Sequence, residues 1–201
     1  MEKTESDRNQ HYAHWTFMTG SRPFEGIEMI LLNMVESFEE VTSHPCGSFS
    51  TTKDLVARNA VSDTAIVMSY SLLEGFFHEE YEYYMKNKNR QKPKELSALI
   101  NTLLHEHKIS LKGWRNRRKV IDLLRVLRNG VVHCNGIIES DVDKKKCKEI
   151  MREDIFEWSE NYPRLSLARS ICLVRELKSI ADEYAEAVYI GPDNGFQRTS
   201  R

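Results

Sequence analysis

Arginine, asparagine and histidine occur close together near the middle of the chain, in the run RNGVVH from Arg128 to His133. Histidine titrates near neutral pH and can carry a proton, whereas arginine keeps its charge and presents a planar fork that suits a phosphate. Asn129 lies four positions before His133, and at this spacing on a helix an amide can orient an imidazole. Together these residue types suit acid-base chemistry on a phosphodiester. The same spacing is also typical of a surface that caps a helix and forms salt bridges.

The conformation of residues 120–136 determines whether these side chains share a surface. Asn129-Gly130 between apolar residues is a strong signal for a β-hairpin, because both residues tolerate the positive φ of a tight turn. The neighbouring apolar residues nevertheless come in doublets, separated by Asp122, Arg125 and Arg128 at three-residue steps. That spacing has the period of a helix and lacks the alternation of a strand. We therefore predict a helix, which costs about 1 kcal/mol for one interior glycine.

The predicted helix has one apolar and one polar side. The apolar side holds Val120, Leu123, Leu124, Leu127, Val131 and Cys134, and the polar side holds Asp122, Arg125, Arg128, Asn129, Val132 and His133. Gly130 lies at the edge of the apolar side, where a missing Cβ lets another backbone come close. Asn135-Gly136 is expected to end the helix in a left-handed conformation. The alternative is a helix that ends at Gly130 and leaves His133 in a loop.

The segment that leads to this helix is strongly basic. From Arg90 to Arg128 the only acidic residues are Glu95, Glu106 and Asp122, although the whole chain has a formal net charge of -1. A local basic field attracts polyanions even when the molecule as a whole is neutral. The residues predicted to contact such a polyanion are Arg115, Arg117, Arg118, Lys119 and Arg125. The alternative is an ordinary solvated surface.

Apolar periodicity predicts two helices before this segment. The first starts at Pro23 and places one apolar side at Ile27, Ile30, Leu31, Met34 and Phe38. The second, over residues 52–88, has one apolar row at Ile66, Tyr70, Leu73, Phe77, Tyr81 and Tyr84 and an adjoining row at Val61, Ala65, Met68, Leu72 and Phe76. Two adjoining rows indicate burial between two neighbours, so we place this helix at the centre of a bundle.

Two further helices are predicted at KELSALINTLLHEH and LSLARSICLVRELKSIADEYAEAV. The second of these carries its apolar face at Leu167, Ile171, Val174, Leu177 and Ile180. Residues 141–162 have helical propensity but weak periodicity, and Pro163 interrupts them. Convincing strands are missing. The predicted fold class is therefore all-α, an antiparallel bundle of about four to six helices.

The chain of 201 residues suits a single domain with short appendages. We expect a flexible arm over residues 1–22, one helical domain over residues 23–190 and a tail over residues 191–201. No apolar run resembles a signal peptide or a membrane helix, so a cytoplasmic protein is expected. The cysteines have no short paired spacing and are predicted to be reduced thiols.

Other site classes find little support in the sequence. His44 with Cys46, or His105 with His107, could supply metal ligands, but neither pair belongs to a four-ligand pattern. A nucleophile elbow and a phosphate-binding glycine loop are both missing. We predict neither a metal nor a cofactor.

The run LLRVLRNGVVHCNGI resembles the R-x-x-x-x-H signature of the HEPN superfamily, all-helical proteins in which a polar residue usually follows the arginine. The preceding AIVMSYSLLEGFFHEEY is similar to the long helix that these proteins place earlier, including an acidic residue at Glu74. The resemblance covers approximately residues 54–190, and the six-residue motif is its specific part. It implies a HEPN-like bundle in which two protomers pair and both motifs line a shared cleft.

Many proteins of that superfamily are metal-independent endoribonucleases, often toxins or phage-defence effectors that a partner such as an antitoxin regulates. The resemblance implies that His133 acts as base on the ribose 2′-hydroxyl or as acid on the leaving oxygen. It assigns Arg128 to the charged phosphorane and Asn129 to the geometry of the site. Glu74 and His78, four positions apart, could join the cleft as an auxiliary pair, although such pairs are more often solvated neighbours.

The rival reading is a non-enzymatic helical module. Some HEPN-like proteins have lost catalysis, and a basic groove of the same kind can bind RNA or a protein partner without cutting. The enzyme reading predicts that loss of His133 abolishes turnover and leaves RNA affinity and folding nearly intact. The module reading predicts that Arg128→Ala and changes of other lysines or arginines weaken binding to a similar extent.

Overall fold

The computed structural model describes residues 6, 21–42, 52–85, 92–110, 114–134, 141–143, 145, 157–159, 162–164 and 167–190. Within these ranges the helices of four or more residues are α1 Ser21–Thr42, α2 Thr52–Met85, α3 Leu96–Glu106, α4 Arg115–Cys134 and α5 Leu167–Ala185, which continues into a π-helical turn at Glu186–Ile190. The all-α class is therefore confirmed. The predicted arm and tail lie almost entirely outside the described residues.

The long helix α2 lies at the centre of the bundle, because it packs against α1, α3, α4 and α5. Its predicted main apolar row is buried at Ile66, Tyr70, Leu73, Phe77 and Tyr81, and Tyr84 is half-buried. Met68 of the adjoining row was predicted to be buried but is 44% exposed, because it lies at the rim where α1 and α2 meet. Although α2 has 34 residues, no helix of the described ranges is both long enough and apolar enough to cross a membrane.

Helix α1 packs on α2 and α5 through Phe24, Ile27 and Leu31. The prediction that Ile30 shares this buried side is wrong, since its side chain is 55% exposed. Phe24 fills the core in the preceding turn, and steps of three and four residues from it lead to Ile27 and Leu31 and leave Ile30 at the edge. The apolar side of α1 is thus narrower than the sequence pattern.

Helix α5 closes the bundle with the five apolar residues predicted for it, all of which are buried. Beyond them, Tyr184 is fully buried, with its ring 5.7 Å from that of Phe76 and 5.1 Å from that of Phe77. Polar bonds accompany this packing: Ser62 of α2 and Ser170 of α5 share a buried hydrogen bond of 2.6 Å. Two ion pairs fasten α5 to α1, Arg175 with Glu28 and Lys178 with Glu25.

Helix α3 ends in a left-handed residue that is not glycine. Lys108 has φ 57°, and its N–H donates to the carbonyl of His105 while the next N–H, of Ile109, donates to the carbonyl of Leu104. These two bonds are those of a Schellman terminus, and Ile109 packs against the core beside it. The chain can therefore leave α3 sharply, at a cost in backbone strain at Lys108.

Between α4 and α5 the chain contains a small antiparallel hairpin, β1 Glu157–Ser159 with β2 Tyr162–Arg164. This corrects the sequence reading, which saw helical propensity here and no convincing strand. Trp158 faces Pro163 across the pair, and proline is tolerated in a strand that has only one neighbour. Tryptophan and tyrosine also favour extended backbone. Residues 141–143 and 145 are helical, so the helical propensity holds for the start of this segment.

Candidate functional site

Helix α4 carries the predicted site in its last two turns. The helix runs from Arg115 to Cys134 without a break, so the helix prediction is confirmed and a hairpin at Asn129-Gly130 is excluded. Gly130 is buried within the helix and His133 lies in its last turn, which rules out an end at Gly130. The expected terminus at Asn135-Gly136 lies outside the described residues.

The buried side of α4 is wider than the sequence predicts. Leu123, Leu124 and Leu127 are buried as expected, and Ile121 and Val126 are buried with them. The reason is that α4 contacts three helices, α2, α3 and α5, and not a single flat surface. The polar side is correspondingly narrow.

Arg128 is half-buried and reaches towards α2. Its guanidinium carbon lies 5.7 Å from the centre of the Tyr70 ring, within the range of a cation–π contact. Its Nη1 donates a hydrogen bond of 3.1 Å to Oδ1 of Asn129. Its Nε is buried and has no hydrogen-bond partner among the described residues. Two neighbours thus fix the guanidinium while part of its donor capacity stays unused.

Charged side chains of α2 and α4 surround the buried Tyr70. Burial raises the pKa of the Tyr70 hydroxyl, and Glu74, one turn along α2, raises that pKa further. Arg125 and Arg128 lower it, and Asp122 raises it slightly. The hydroxyl therefore stays protonated at neutral pH. We refer to these five residues as the Tyr70 cluster.

His133 points away from this cluster. It is exposed, and its neighbour Val132 is 46% exposed. Five residues of helix place His133 about 7.5 Å along the axis from Arg128 and about 140° around it. Arg128 and His133 of one chain therefore flank the end of α4 and do not contact each other. A ligand that engages both has to lie across this end of the helix.

The directions of α2 and α4 follow from two sets of contacts. Near its end, α4 contacts α2 through Arg128 and Tyr70. At its start, Trp114 lies 6.2 Å from the Tyr184 ring, which itself lies against Phe77. The start of α4 is thus close to the later turns of α2, and the two helices are antiparallel.

This arrangement separates the predicted auxiliary pair. Glu74 belongs to the Tyr70 cluster, as does Arg128. His78 lies one turn further along α2, away from Arg128, and its Nδ1 is buried without a hydrogen-bond partner in the described ranges. Because His133 lies beyond Arg128 in the other direction, about 20 Å of helix axis separates the two histidines. Within one chain, His78 does not reach the atoms that His133 can reach.

The five basic residues predicted to contact a polyanion fall into two groups. Arg117 is bound by the carboxylates of Glu176 and Glu183 on α5, so it joins two helices of the bundle. The others are exposed or half-buried on the polar side of α4: Arg115, Arg118, Lys119 and Arg125. At steps of three or four residues, one polar stripe runs along the helix through Arg115, Arg118, Asp122, Arg125, Asn129 and His133. This stripe is basic at its start and ends at His133.

Tyr70 is the residue of this region that sequence reasoning assigned to the core alone. It is indeed buried, but it is also the contact that holds Arg128. Part of the signal was present in the sequence, since an acidic residue, Glu74, lies four positions after Tyr70 on α2. Nothing in the sequence, however, indicated which arginine of the basic segment would lie over the ring.

The structure describes two of the four residues considered as metal ligands, and these two do not form a metal centre. His105 is exposed, and His107 lies edge-on to the Tyr84 ring at 4.4 Å. His44 and Cys46 lie outside the described residues. Within the described part of the chain, no group of three or more His, Cys, Asp or Glu side chains is placed to hold a metal ion.

Comparison with protein-family models, with curated proteins and with solved structures finds no match to this chain. The chemistry of the site therefore has to be read from its own residues. These provide a fixed cation at Arg128, an amide that holds it, and a solvent-accessible imidazole at the end of the same helix.

Proposed function

We propose that the chain is a metal-independent endoribonuclease of HEPN type, acting through Arg128, Asn129 and His133. The observation that supports this most is the difference in environment between the guanidinium and the imidazole of the motif. Arg128 is held by Tyr70 and Asn129 and keeps unused donors, whereas His133 is exposed at the end of the same helix. A fixed cation suits the charge of a phosphorane, and an exposed imidazole suits proton transfer.

In the proposed reaction the imidazole of His133 takes the proton of a ribose 2′-hydroxyl. The resulting oxygen attacks the adjacent phosphorus, and the bond from phosphorus to the 5′-oxygen breaks as that oxygen receives a proton. Arg128 stabilises the negative charge of the intermediate, and Asn129 maintains the position of the guanidinium. The products are a 2′,3′-cyclic phosphate and a free 5′-hydroxyl.

A homodimer is part of the proposal, because one chain offers a single imidazole at this end of α4 within the described residues. Two protomers whose α4 ends face each other would supply one imidazole as base and one as acid. The basic stripe from Arg115 to Arg125 would then lead the RNA backbone into the shared cleft. An antitoxin or another regulatory protein that covers this cleft would switch off such an enzyme.

The alternative function is a binding module without catalysis. It is favoured by the direction of Arg128, which packs over Tyr70 between two helices as a structural arginine does. In that case the exposed basic residues of α4 bind RNA or an acidic protein surface, and His133 contributes little.

The deciding experiment incubates wild-type and His133→Ala protein with end-labelled RNA in EDTA and scores the fragments for 2′,3′-cyclic phosphate. We expect cleavage by the wild type only, with equal RNA affinity and equal melting temperature for both proteins, because His133 is exposed. His105→Ala serves as the matched control, since His105 is another exposed histidine in the last turn of a helix. Binding without cleavage by the wild type, across RNAs of varied sequence and structure, would replace the enzyme by the binding module.

A further inference from the structure

We propose that Tyr70 is a positioning residue of this site, whose aromatic ring holds the Arg128 guanidinium in the orientation that presents its unbonded Nη2 to a phosphate. This inference rests on the proposed function, because it assigns Tyr70 a role in the reaction that Arg128 serves. It goes beyond the motif, since Tyr70 belongs to α2, 58 positions before Arg128 in the sequence.

Three contacts determine where the Arg128 guanidinium lies. The Tyr70 ring is 5.7 Å from the guanidinium carbon, and the buried ring itself has little freedom to move. Asn129 accepts from Nη1 at 3.1 Å. Among the described residues, Nε and Nη2 have no hydrogen-bond acceptor, although Nε is buried. The ring and the amide thus hold the group. Nη2 is not buried as Nε is, so it is the donor that remains available to a ligand.

An aromatic ring suits this role better than a carboxylate would, because a ring leaves the N–H groups of Arg128 free. Glu74 and Asp122 lie close enough to raise the pKa of Tyr70. Neither of them forms an ion pair with Arg128 in the described structure. A carboxylate bound to Arg128 would occupy both donors of one edge and compete with a phosphate. A ring attracts the cation through its face and takes none of its N–H groups. Tyr70 therefore fixes Arg128 without consuming the donors that the proposed reaction needs.

The chain provides a matched control in Tyr81. It lies on the same helix, is buried like Tyr70, and also has a cation over its ring, Lys92 at 6.0 Å. Eleven residues of helix place Tyr81 about 16 Å from Tyr70 and away from the end of α4. Loss of either ring removes a buried aromatic side chain and a cation–π contact, but only Tyr70 contacts the proposed site.

The test replaces Tyr70 in a way that changes the ring's charge distribution while it keeps its shape. Tyr70→Phe retains the attractive face, and progressively fluorinated phenylalanines at position 70 weaken it at nearly constant volume. We expect kcat for RNA cleavage to fall stepwise with fluorination, by about tenfold in total, with KM changed by less than about twofold. The same series at position 81 should leave kcat unchanged. A ring that only fills the core would give equal kcat along both series and would overturn the inference.

A second measurement does not depend on catalysis. The Nε–H resonance of Arg128, assigned by its loss in Arg128→Lys, should be displaced by the ring current of Tyr70 and should return towards the free-arginine position in Tyr70→Leu. If no RNA is cut but this displacement is present, the proposed function is wrong although Tyr70 does contact Arg128. The positioning role of Tyr70 is then wrong as well, because there is no reaction for it to serve. If RNA is cut and the displacement is absent, the proposed function survives and the role of Tyr70 is refuted.

Discussion

Arg117 of α4 donates a hydrogen bond of 3.0 Å from its Nε to Oε2 of Glu183 on α5. Glu176, two turns earlier on α5, accepts from the same guanidinium, and the Arg117 side chain is only 24% exposed. The two carboxylates neutralise the charge of the Arg117 guanidinium and occupy the donors that another anion would need. Arg117 thus stabilises the packing of α4 on α5, although its neighbours in the basic segment face solvent.

The first prediction compares Arg117→Ala with Arg115→Ala. Loss of the partly buried ion pair should lower the melting temperature by about 2 to 4 °C and leave RNA affinity unchanged. Arg115 is exposed, so its loss should leave the melting temperature unchanged and weaken RNA binding, with the slope of log K against log salt falling by about 0.7. Thermal unfolding and binding titrations over a salt series test both. Equal loss of RNA affinity in the two variants would place Arg117 in the RNA surface after all.

The second prediction concerns the left-handed terminus of α3. Lys108→Gly should stabilise the protein by about 1 kcal/mol, because glycine adopts φ 57° without the strain that a Cβ causes. The corresponding rise in melting temperature is about 2 to 4 °C. Lys108→Ala is the control, since it removes the same charge but keeps the Cβ and should give no gain. A gain in both variants would point to charge and not to backbone strain.

The sequence predicts most of the helices, because each has a clear apolar period and an abrupt change of pattern at its ends. It also predicts that α4 continues through Asn129-Gly130, since packing of Leu123, Leu124 and Leu127 outweighs the turn propensity of that pair. The predicted burial is wrong at positions where it depends on how a neighbouring helix packs. Ile30 and Met68 have the right period but are exposed, because both lie at the rim of the contact between α1 and α2.

The sequence predicts less of the candidate site than of the fold. The residue types of Arg128, Asn129 and His133 could be identified from their spacing, but not their unequal exposure. Which arginine meets Tyr70, and which is bound by Glu183, depends on contacts between residues 58 and 66 positions apart. Periodicity describes one helix at a time, so it does not contain this information.

The third prediction concerns Asp182 of α5. Burial raises its pKa above the ordinary 3.8, Lys178 partly opposes this shift, and Glu186 and Glu25 add to it. A raised pKa in the folded state means that Asp182 favours folding only while it is protonated, and this contribution is lost as the pH rises through the folded pKa. At neutral pH the ionised carboxylate therefore destabilises the folded state.

Asp182→Asn should therefore raise the melting temperature at pH 7 by about 1 to 2 °C, and the gain should disappear below about pH 4. Glu183→Gln tests the neighbouring position, where the carboxylate binds Arg117, and should lower the melting temperature at pH 7. Melting curves between pH 3 and pH 8 give both signs. A gain for Asp182→Asn that persists at pH 3 would contradict the pKa argument.

The fourth prediction concerns the bond between α2 and the π-helical turn. The hydroxyl of Tyr189 donates to the carboxylate of Glu80, 2.9 Å from each oxygen, and Glu80 is fully buried. Tyr189→Phe removes this donor from a buried carboxyl group and should destabilise the protein by about 1 to 3 kcal/mol. Tyr81→Phe is the matched control. The Tyr81 hydroxyl is buried without a hydrogen-bond partner among the described residues, so its removal should be neutral or stabilising.

Burial, and then Glu80, also raise the pKa of Tyr189 far above its ordinary value of 10.0. A raised pKa in the folded state contributes stability that is present below pH 10 and is lost as the pH rises further, because only the unfolded chain then releases the proton. The wild type should therefore lose stability above about pH 10 more steeply than Tyr189→Phe. Chemical unfolding at pH 8 and at pH 10.5 measures the two differences. If the gap between wild type and Tyr189→Phe is the same at both values, Tyr189 does not hold its proton in the way that its buried bond to Glu80 requires.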